Sequence, residues 1–254
     1  MTDKKQPWYV EFFHSDYQSI YNSMFDEEII QSEVDSIINL FTLNKADSLL
    51  DLCCGPGRHS ILMSKLGFDM TAVDLNFQYL SQITDYTKRN NLDIKVVRSD
   101  MRHLPFYEKF NLIINMFTSF GYLEKDDDNL QVLKTIHTAL KPKGWLLLDM
   151  LNREWVVANN IKTEWKIAAD NQLIIEHRDI NLLTSRSSIT FSTLHEDGSI
   201  IQSTGHHIRL YTLTEMVQLL EKANLSVKDV FGGLKKENYG INSPRMVIVA
   251  QKII

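Results

Sequence analysis

The stretch Leu49-Leu50-Asp51-Leu52-Cys53-Cys54-Gly55-Pro56-Gly57-Arg58-His59-Ser60 constrains this chain more than any other. Its apolar start reads as a buried strand and Gly-Pro-Gly as a tight turn. An amphipathic helix follows from about Arg58 to Leu66, closed by Gly67. Strand, glycine turn and helix in that order let a ligand reach backbone amides at a helix N-terminus. Gly55 and Gly57 lack a Cβ, so the main chain can come into contact with what binds there.

Asp51 decides the ligand's charge. A dinucleotide site neutralises a pyrophosphate with amides and the positive end of a helix dipole, and a carboxylate on the loop opposes that anion. Ser60 also stands where the dinucleotide fingerprint has its third glycine. Asp51 suits a ligand with an adenosine body and cationic groups, which S-adenosylmethionine has in its sulfonium and ammonium. Ala72-Val73-Asp74 ends the next apolar run, 23 residues after Asp51. A carboxylate at that strand tip can take both hydroxyls of a ribose.

These segments resemble motifs I and II of the class I S-adenosylmethionine-dependent methyltransferases. The nearest pattern is a bacterial small-molecule subgroup reading D-x-C-C-G-x-G-R-H, V-D-L, D-M-R-x-L-P-F and S-F-G-Y. All four motifs are present in order, at Asp51 to His59, Val73 to Leu75, Asp100 to Phe106 and Ser119 to Tyr122. The resemblance implies a cofactor site. Asp51 would orient the ammonium, Cys53, Gly55 and Gly57 would line the methionine moiety, and Asp74 would hold the ribose. Leu75, Asp100 and Met101 would lie at the adenine, and Asn115 and Met116 would face the reactive methyl. Arg58, His59 and Arg102 read equally well as cofactor-proximal groups or as solvated surface charges.

Strand-helix alternation carries the motifs. Expected strands are 48–53, 69–75, 94–98, 110–116 and 145–150, separated by helices over 58–66, 77–89 and 127–140. Such alternation argues a parallel sheet covered on both faces. A Pro142-Lys143-Gly144 turn is expected before the fifth strand, and Asp126, Asp127 and Asp128 are read as helix-capping acids rather than a metal cluster. After Asn152 the pattern turns β-rich over 163–169, 172–180, 187–196 and 199–211, two successive hairpins. A helix over 214–223 and strands 225–231 and 245–252 complete the chain. The fold expected is α/β, a Rossmann-like seven-stranded methyltransferase sheet with helices on both faces and an antiparallel β insert after strand five. Its parts are an N-terminal helical cap (1–47), a cofactor-binding core (48–152), an insert over the acceptor site (153–211) and a C-terminal completion of the sheet (212–254).

Near the N-terminus, Tyr9, Phe13, Tyr17 and Tyr21 recur every four residues, one stripe of a helix. A helix packed on the core and a lid over the cofactor both fit. The resemblance favours a lid, with Tyr17 and Tyr21 as cofactor contacts. The acceptor side is less specified. Alternation puts His207, Arg209 and Tyr211 on one face of the last insert strand, with His206, Ile208 and Leu210 on the other. A polar pocket and a solvated edge are both open. In the pocket reading His207 and Tyr211 are catalytic, while Asn152, His206 and Arg209 bind the acceptor; the family resemblance alone adds Arg245 to them.

The 254 residues can bury a full core. The net charge of −5 offers nucleic acid and anionic membranes no overall attraction. No run reaches the length of a membrane span, and the polar start lacks a signal's apolar core. The two cysteines, adjacent, match no zinc spacing and form a poor disulfide pair. The expected protein is a cytoplasmic monomer or homodimer with no metal and no nucleic-acid partner. It would use S-adenosylmethionine to methylate N or O of a small molecule such as a natural product, sugar or amino acid. The rival readings are an RNA or protein methyltransferase, and a protein that binds the cofactor without transferring its methyl group.

Overall fold

The computed structural model describes residues 7–15, 26–167, 173–194 and 198–253. Tyr17 and Tyr21, expected at the cofactor, lie outside them. Seven strands form the central sheet: β1 (Ser48–Leu52), β2 (Asp69–Asp74), β3 (Ile94–Arg98), β4 (Phe110–Asn115), β5 (Leu140–Leu151), β10 (Leu225–Phe231) and β11 (Arg245–Lys252). Their order is β10-β11-β5-β4-β1-β2-β3. The strands from β3 to β5 are parallel, and β11 runs antiparallel to both neighbours. β1 continues to β2 on one side and meets β4 on the other, so the order reverses at its C-terminal end, where open α/β sheets bind ligands.

Both faces of the sheet are covered, as near-continuous apolar strands require. On one face, Leu50, Leu52, Ile113, Leu146 and Leu148 pack against Val132, Leu133 and Ile136 of α5 (Asp126–Ala139) and against Met216 and Leu220 of α7 (Leu213–Lys222). On the other, Leu49, Leu112 and Leu147 meet Val34 and Ile37 of α2 (Glu27–Phe41), Met63 of α3 (Arg58–Lys65) and Leu80 and Ile83 of α4 (Phe77–Asn90). Each such buried side chain contributes roughly 1.5–3 kcal/mol relative to exposure. Helix ends are set locally: Asp26 accepts from Glu28 and Ile29 N, and Thr212 with Glu215 forms a reciprocal capping box on α7.

Two local expectations change. The Pro142-Lys143-Gly144 turn is a kink inside β5, where Lys143 takes a φ of 63° and the β4 pairing shifts register. The three acids at α5 fill its first turn, while Lys125 is the N-cap with no side-chain bond. They still complement the positive end of the dipole.

A short helix, α6 (Arg153–Ala158), leads from β5 into the insert. The insert is an antiparallel sheet in the order β6 (Thr163–Ile167), β7 (Leu173–Asn181), β8 (Arg186–Leu194), β9 (Ile200–Arg209). One of its faces buries Ile174, Ile189 and Phe191 against Phe12 of α1 (Trp8–Ser15), and the Phe12 and Phe191 rings stack at 6.2 Å. The N-terminal helix is therefore bound to the insert. Two glycines permit close seams. At Gly205 a Cβ would lie 2.4 Å from the Ile189 carbonyl oxygen, beside an irregularity in the β8–β9 pairing. Gly121, with φ of 103°, lets the loop after β4 meet β9: Arg209 N donates to its carbonyl, and a Cβ would stand 2.6 Å from the Arg209 oxygen. That contact accounts for the glycine of Ser119-Phe120-Gly121-Tyr122.

Candidate cofactor and acceptor site

A cavity of about 600 Å³ opens across the tips of β3, β2, β1 and β4. At its centre the chain leaves β1 through Cys53, which takes a φ of 61°, and turns at Gly55 with φ of 55°. A Cβ at Gly55 would meet nothing within 4 Å, so its backbone faces open space on the cavity wall. Gly57 has a different task. It is the N-cap of α3 with φ of 84°, and a Cβ there would strike Ile83 of α4 at 2.6 Å. It does not line the cavity; close helix packing requires it.

Two acids stand on the cavity wall. Asp74 Oδ2 accepts from Gly55 N at 2.9 Å and its Oδ1 from Asn76 N at 2.8 Å. These bonds aim the carboxylate and leave lone pairs for two hydroxyls. Burial nevertheless raises its pKa. Asp51 is 2 % exposed, and Ser60 donates to its Oδ2 at 2.7 Å. Burial raises Asp51 too, opposed chiefly by His59. Ser60 thus replaces a fingerprint glycine with a group that holds the acid. Both carboxylates are desolvated, and a cationic or hydroxyl-bearing ligand would relieve them.

At the β3 end, Asp100, Met101 and Leu75 line the cavity. Arg102 is bidentate to Asp100, Nε to Oδ1 at 3.0 Å and Nη2 to Oδ2 at 2.7 Å, and this holds the Asp100 carboxyl below the usual range. Arg102 stands behind Asp100 rather than on the wall. Cys53 lines the wall with its thiol 3.7 Å from Met101 Sδ, and burial pushes that thiol well up, away from nucleophilic chemistry.

At the β4 end the wall is Met116, Phe117 and Ser119, with Arg58 and His59 from α3. Asn115 does not line it; its Nδ2 donates to Leu52 O at 2.9 Å and ties β4 to β1. His59 is buried with Nε2 2.9 Å from Glu33 Oε2 of α2, and the Arg58 guanidinium lies 3.7 Å from the Phe117 ring centroid. Phe117 and Thr118 are successive left-handed residues, φ 54° and 60°, each costing about 1–3 kcal/mol in backbone strain.

Above these strand tips, Tyr9, Val10 and Phe13 of α1 and Tyr122 complete the wall. Phe13 and Tyr122 rings stack at 5.7 Å, and Asn76 Nδ2 donates to Phe13 O at 3.0 Å. The described members of the aromatic stripe, Tyr9 and Phe13, face the cavity, while Phe12 beside them is core against the insert. Of these wall residues, the S-F-G-Y motif pointed to Tyr122. Nothing local marked Asn76 or Phe117.

The residues expected at the acceptor do not line this cavity. Tyr211 is 1 % exposed, donates to Asp126 Oδ1 at 2.6 Å and accepts from Asn129 Nδ2 at 2.9 Å, and burial raises its pKa strongly. Arg209 pairs with Glu215 at 2.5 Å and lies over the Tyr211 ring. His207 Nδ1 is 2.6 Å from Ser188 Oγ, and burial lowers its pKa. His206 meets Phe12 edge-on. Asn152 caps α6 and donates to Gly240 O and Ser243 O, both at 2.8 Å. Arg245 Nε donates to Asp149 Oδ1, and its Nη2 lies 2.6 Å from Oδ2 in an ion pair. Each is occupied within the fold. Among the described residues, no group of three or more His, Cys, Asp or Glu could hold a metal, and no helix is long and apolar enough to cross a membrane.

A family model described as a methyltransferase domain matches residues 49–144, the segment that builds the strand tips. The chain is 27 % identical over 165 residues to the glycine/sarcosine N-methyltransferase of Aphanothece halophytica, covering 64 % of this chain and 61 % of that protein's length. It is 24 % identical over 197 residues to a dTDP-3-amino-3,4,6-trideoxy-alpha-D-glucopyranose N,N-dimethyltransferase of Streptomyces venezuelae, covering 74 % of this chain and 79 % of that protein. In fold it resembles an S-adenosylmethionine-dependent methyltransferase of Clostridium acetobutylicum, with a TM-score of 0.77 and 19 % identity over 96 % of this chain and 98 % of the other. Asp51, Gly55 and Asp74 all lie on the cavity wall inside the segment that matches the methyltransferase domain model, and the fold is that of an S-adenosylmethionine-dependent methyltransferase.

Proposed function

We propose that the chain transfers a methyl group from S-adenosylmethionine to a nitrogen of a small molecule, and that it falls in the bacterial subgroup marked by D-x-C-C-G-x-G-R-H and S-F-G-Y. The observation that carries the reading is one cavity with three acids at one end and, beside Arg58 and His59, an aromatic and apolar wall at the other. Asp74, Asp51 and Asp100 occupy the tips of β2, β1 and β3, while Met116, Phe117, Phe13 and Tyr122 enclose the other end. Two relatives named for N-methylation, of an amino acid and of a sugar nucleotide, support nitrogen as the attacking atom.

Bound there, the cofactor supplies an electrophilic methyl group already activated by its sulfonium. The chain's own work is to bind, align and exclude water. Asp74 takes the ribose hydroxyls, Asp51 faces the cationic end, and Asp100, kept ionised by Arg102, accepts from the adenine amino group. Phe13, Tyr9 and Tyr122 cover the cavity and keep it dry. In this reading α1 supplies the cap, α2 with 48–152 and 212–254 the core, and 153–211 the acceptor-side cover, which reaches the cavity through α1 rather than by its own polar face.

The test is incubation with methyl-labelled S-adenosylmethionine and a panel of glycine, sarcosine and amino-sugar nucleotides, with label and S-adenosylhomocysteine measured by mass spectrometry. Transfer to nitrogen in at least one amine is expected. A protein that binds S-adenosylmethionine yet forms no S-adenosylhomocysteine with any of them overturns the proposal.

A further inference from the structure

The loop after β4 is held from behind by residues that touch neither the cavity nor its acids. Asp149, in β5 and 4 % exposed, accepts from Phe117 N at 3.1 Å through Oδ2, and its carbonyl accepts from Thr118 N at 2.8 Å. Arg245, at the start of β11, donates Nε to Asp149 Oδ1 at 2.8 Å and sets Nη2 2.6 Å from Oδ2. Thr118 Oγ1 accepts from Leu151 N at 3.0 Å. Side chains and backbone of two strands thus hold two bulky residues in a backbone region that favours glycine.

The product of that effort is the placement of one ring. Phe117 lines the cavity at the β4 end, opposite the β2 and β3 tips that carry Asp74 and Asp100. Arg58 lies 3.7 Å from its centroid and Arg245 5.5 Å, so the ring is flanked by guanidinium groups. Strain at a site persists only where the surroundings over-determine it, and here they do. Asp149 with no Arg245 would be a buried carboxylate lacking its counter-charge, and the turn would lose its anchor.

We infer that Asp149 and Arg245 are positioning residues that hold the Phe117–Thr118 turn so that the Phe117 ring borders the transferable methyl group at the acceptor end of the cavity. The inference rests on the methyltransferase reading for the identity of the bound cofactor. It assigns Arg245 to the enzyme's geometry, acting through Asp149 and Phe117 rather than on the acceptor. A positioned aromatic ring there fixes how close an attacking nitrogen can stand, where small displacements cost rate steeply.

The test is an NMR spectrum of S-adenosylmethionine carrying a ¹³C methyl group, bound to the wild-type chain and to Phe117→Leu, Asp149→Asn and Arg245→Lys. An aromatic ring near the methyl shifts its resonance, a signature that global destabilisation does not produce in a saturated folded complex. Phe117→Leu keeps the apolar bulk and should move the bound resonance. Asp149→Asn should move it in the same direction, and Arg245→Lys less, because it keeps the charge with fewer donors. Affinity for the cofactor should stay within about threefold in Asp149→Asn and Arg245→Lys, a change below roughly 0.7 kcal/mol. A bound resonance that moves in Phe117→Leu but stays fixed in Asp149→Asn and Arg245→Lys overturns the positioning role. One that is the same in all four proteins overturns the placement of the ring. No bound resonance in the wild type overturns the cofactor reading itself.

Discussion

The tips of β1 and β2 and the stretch around the end of β9 all carry titratable side chains and have opposite fates. Asp51 is buried and Asp74 half-buried, both aimed by a few bonds from Ser60, Gly55 and Asn76 and left at a raised pKa on an open cavity. His207, Arg209 and Tyr211 are equally polar, yet each is consumed by a neighbour: Ser188, Glu215, or Asp126 with Asn129. A buried polar group whose needs are met inside the fold specifies structure. One that is desolvated and still facing a cavity is a candidate to bind a ligand. Being titratable does not separate the two cases; the state of the partners does.

The sharpest way to break this contrast is Asp74→Ala. If Asp74 holds the ribose, the change should weaken S-adenosylhomocysteine binding by about 1–3 kcal/mol, roughly 5- to 150-fold. Calorimetry on a variant shown to be folded reads this directly. Unchanged affinity would mean that the carboxylate serves only Gly55 and Asn76, and the β2 tip would join β9 as structure.

Tyr211→Phe probes the other side with a smaller effect. Deleting the hydroxyl removes a donor to Asp126 and an acceptor for Asn129 Nδ2. The expected loss is about 1–2 kcal/mol of stability in a denaturant titration, with S-adenosylhomocysteine affinity within threefold. A variant with wild-type stability that has lost methyl transfer would put β9 at the acceptor after all.

The two halves also differ in how far they can be read from sequence. Apolar runs mark β1, β2, β4 and β5 because strands buried on both faces leave little alternation to misread, and glycine turns mark the loop after β1. The sheet order and the antiparallel β11 depend on long-range pairing that no local pattern contains. The turn at Phe117 was illegible for a sharper reason. Left-handed backbone is announced by glycine or asparagine, and here it falls on phenylalanine and threonine because Asp149, 32 positions along the chain, holds it. Alternation did place Arg209 and Tyr211 together, and their ring contact bears that out, but it carries no information about Asp126 or Glu215. The task of Gly57 was hidden in the same way: a glycine for ligand approach and a glycine for helix packing look alike until Ile83 is in place.

The smallest expected effect tests the charge argument at Asp51. Burial raises this carboxyl, so between its ordinary value and its raised one the folded, cofactor-free chain holds a proton that the unfolded chain has released. Stability from this group is therefore present at low pH and is lost as pH rises through that window. A cationic ligand beside Asp51 favours the ionised form and brings its pKa back down. Binding then releases a proton, and affinity should rise with pH across the same window. The rise should be roughly two- to fivefold, below about 1 kcal/mol, because Ser60 and His59 already favour the ionised form. S-adenosylhomocysteine titrated in two buffers of different ionisation heat reads the released proton, and Asp51→Asn should remove most of it. A slope that survives Asp51→Asn would move the linked proton to Asp74, which burial also raises, and the cationic end of the cofactor would then have to lie against some group other than Asp51.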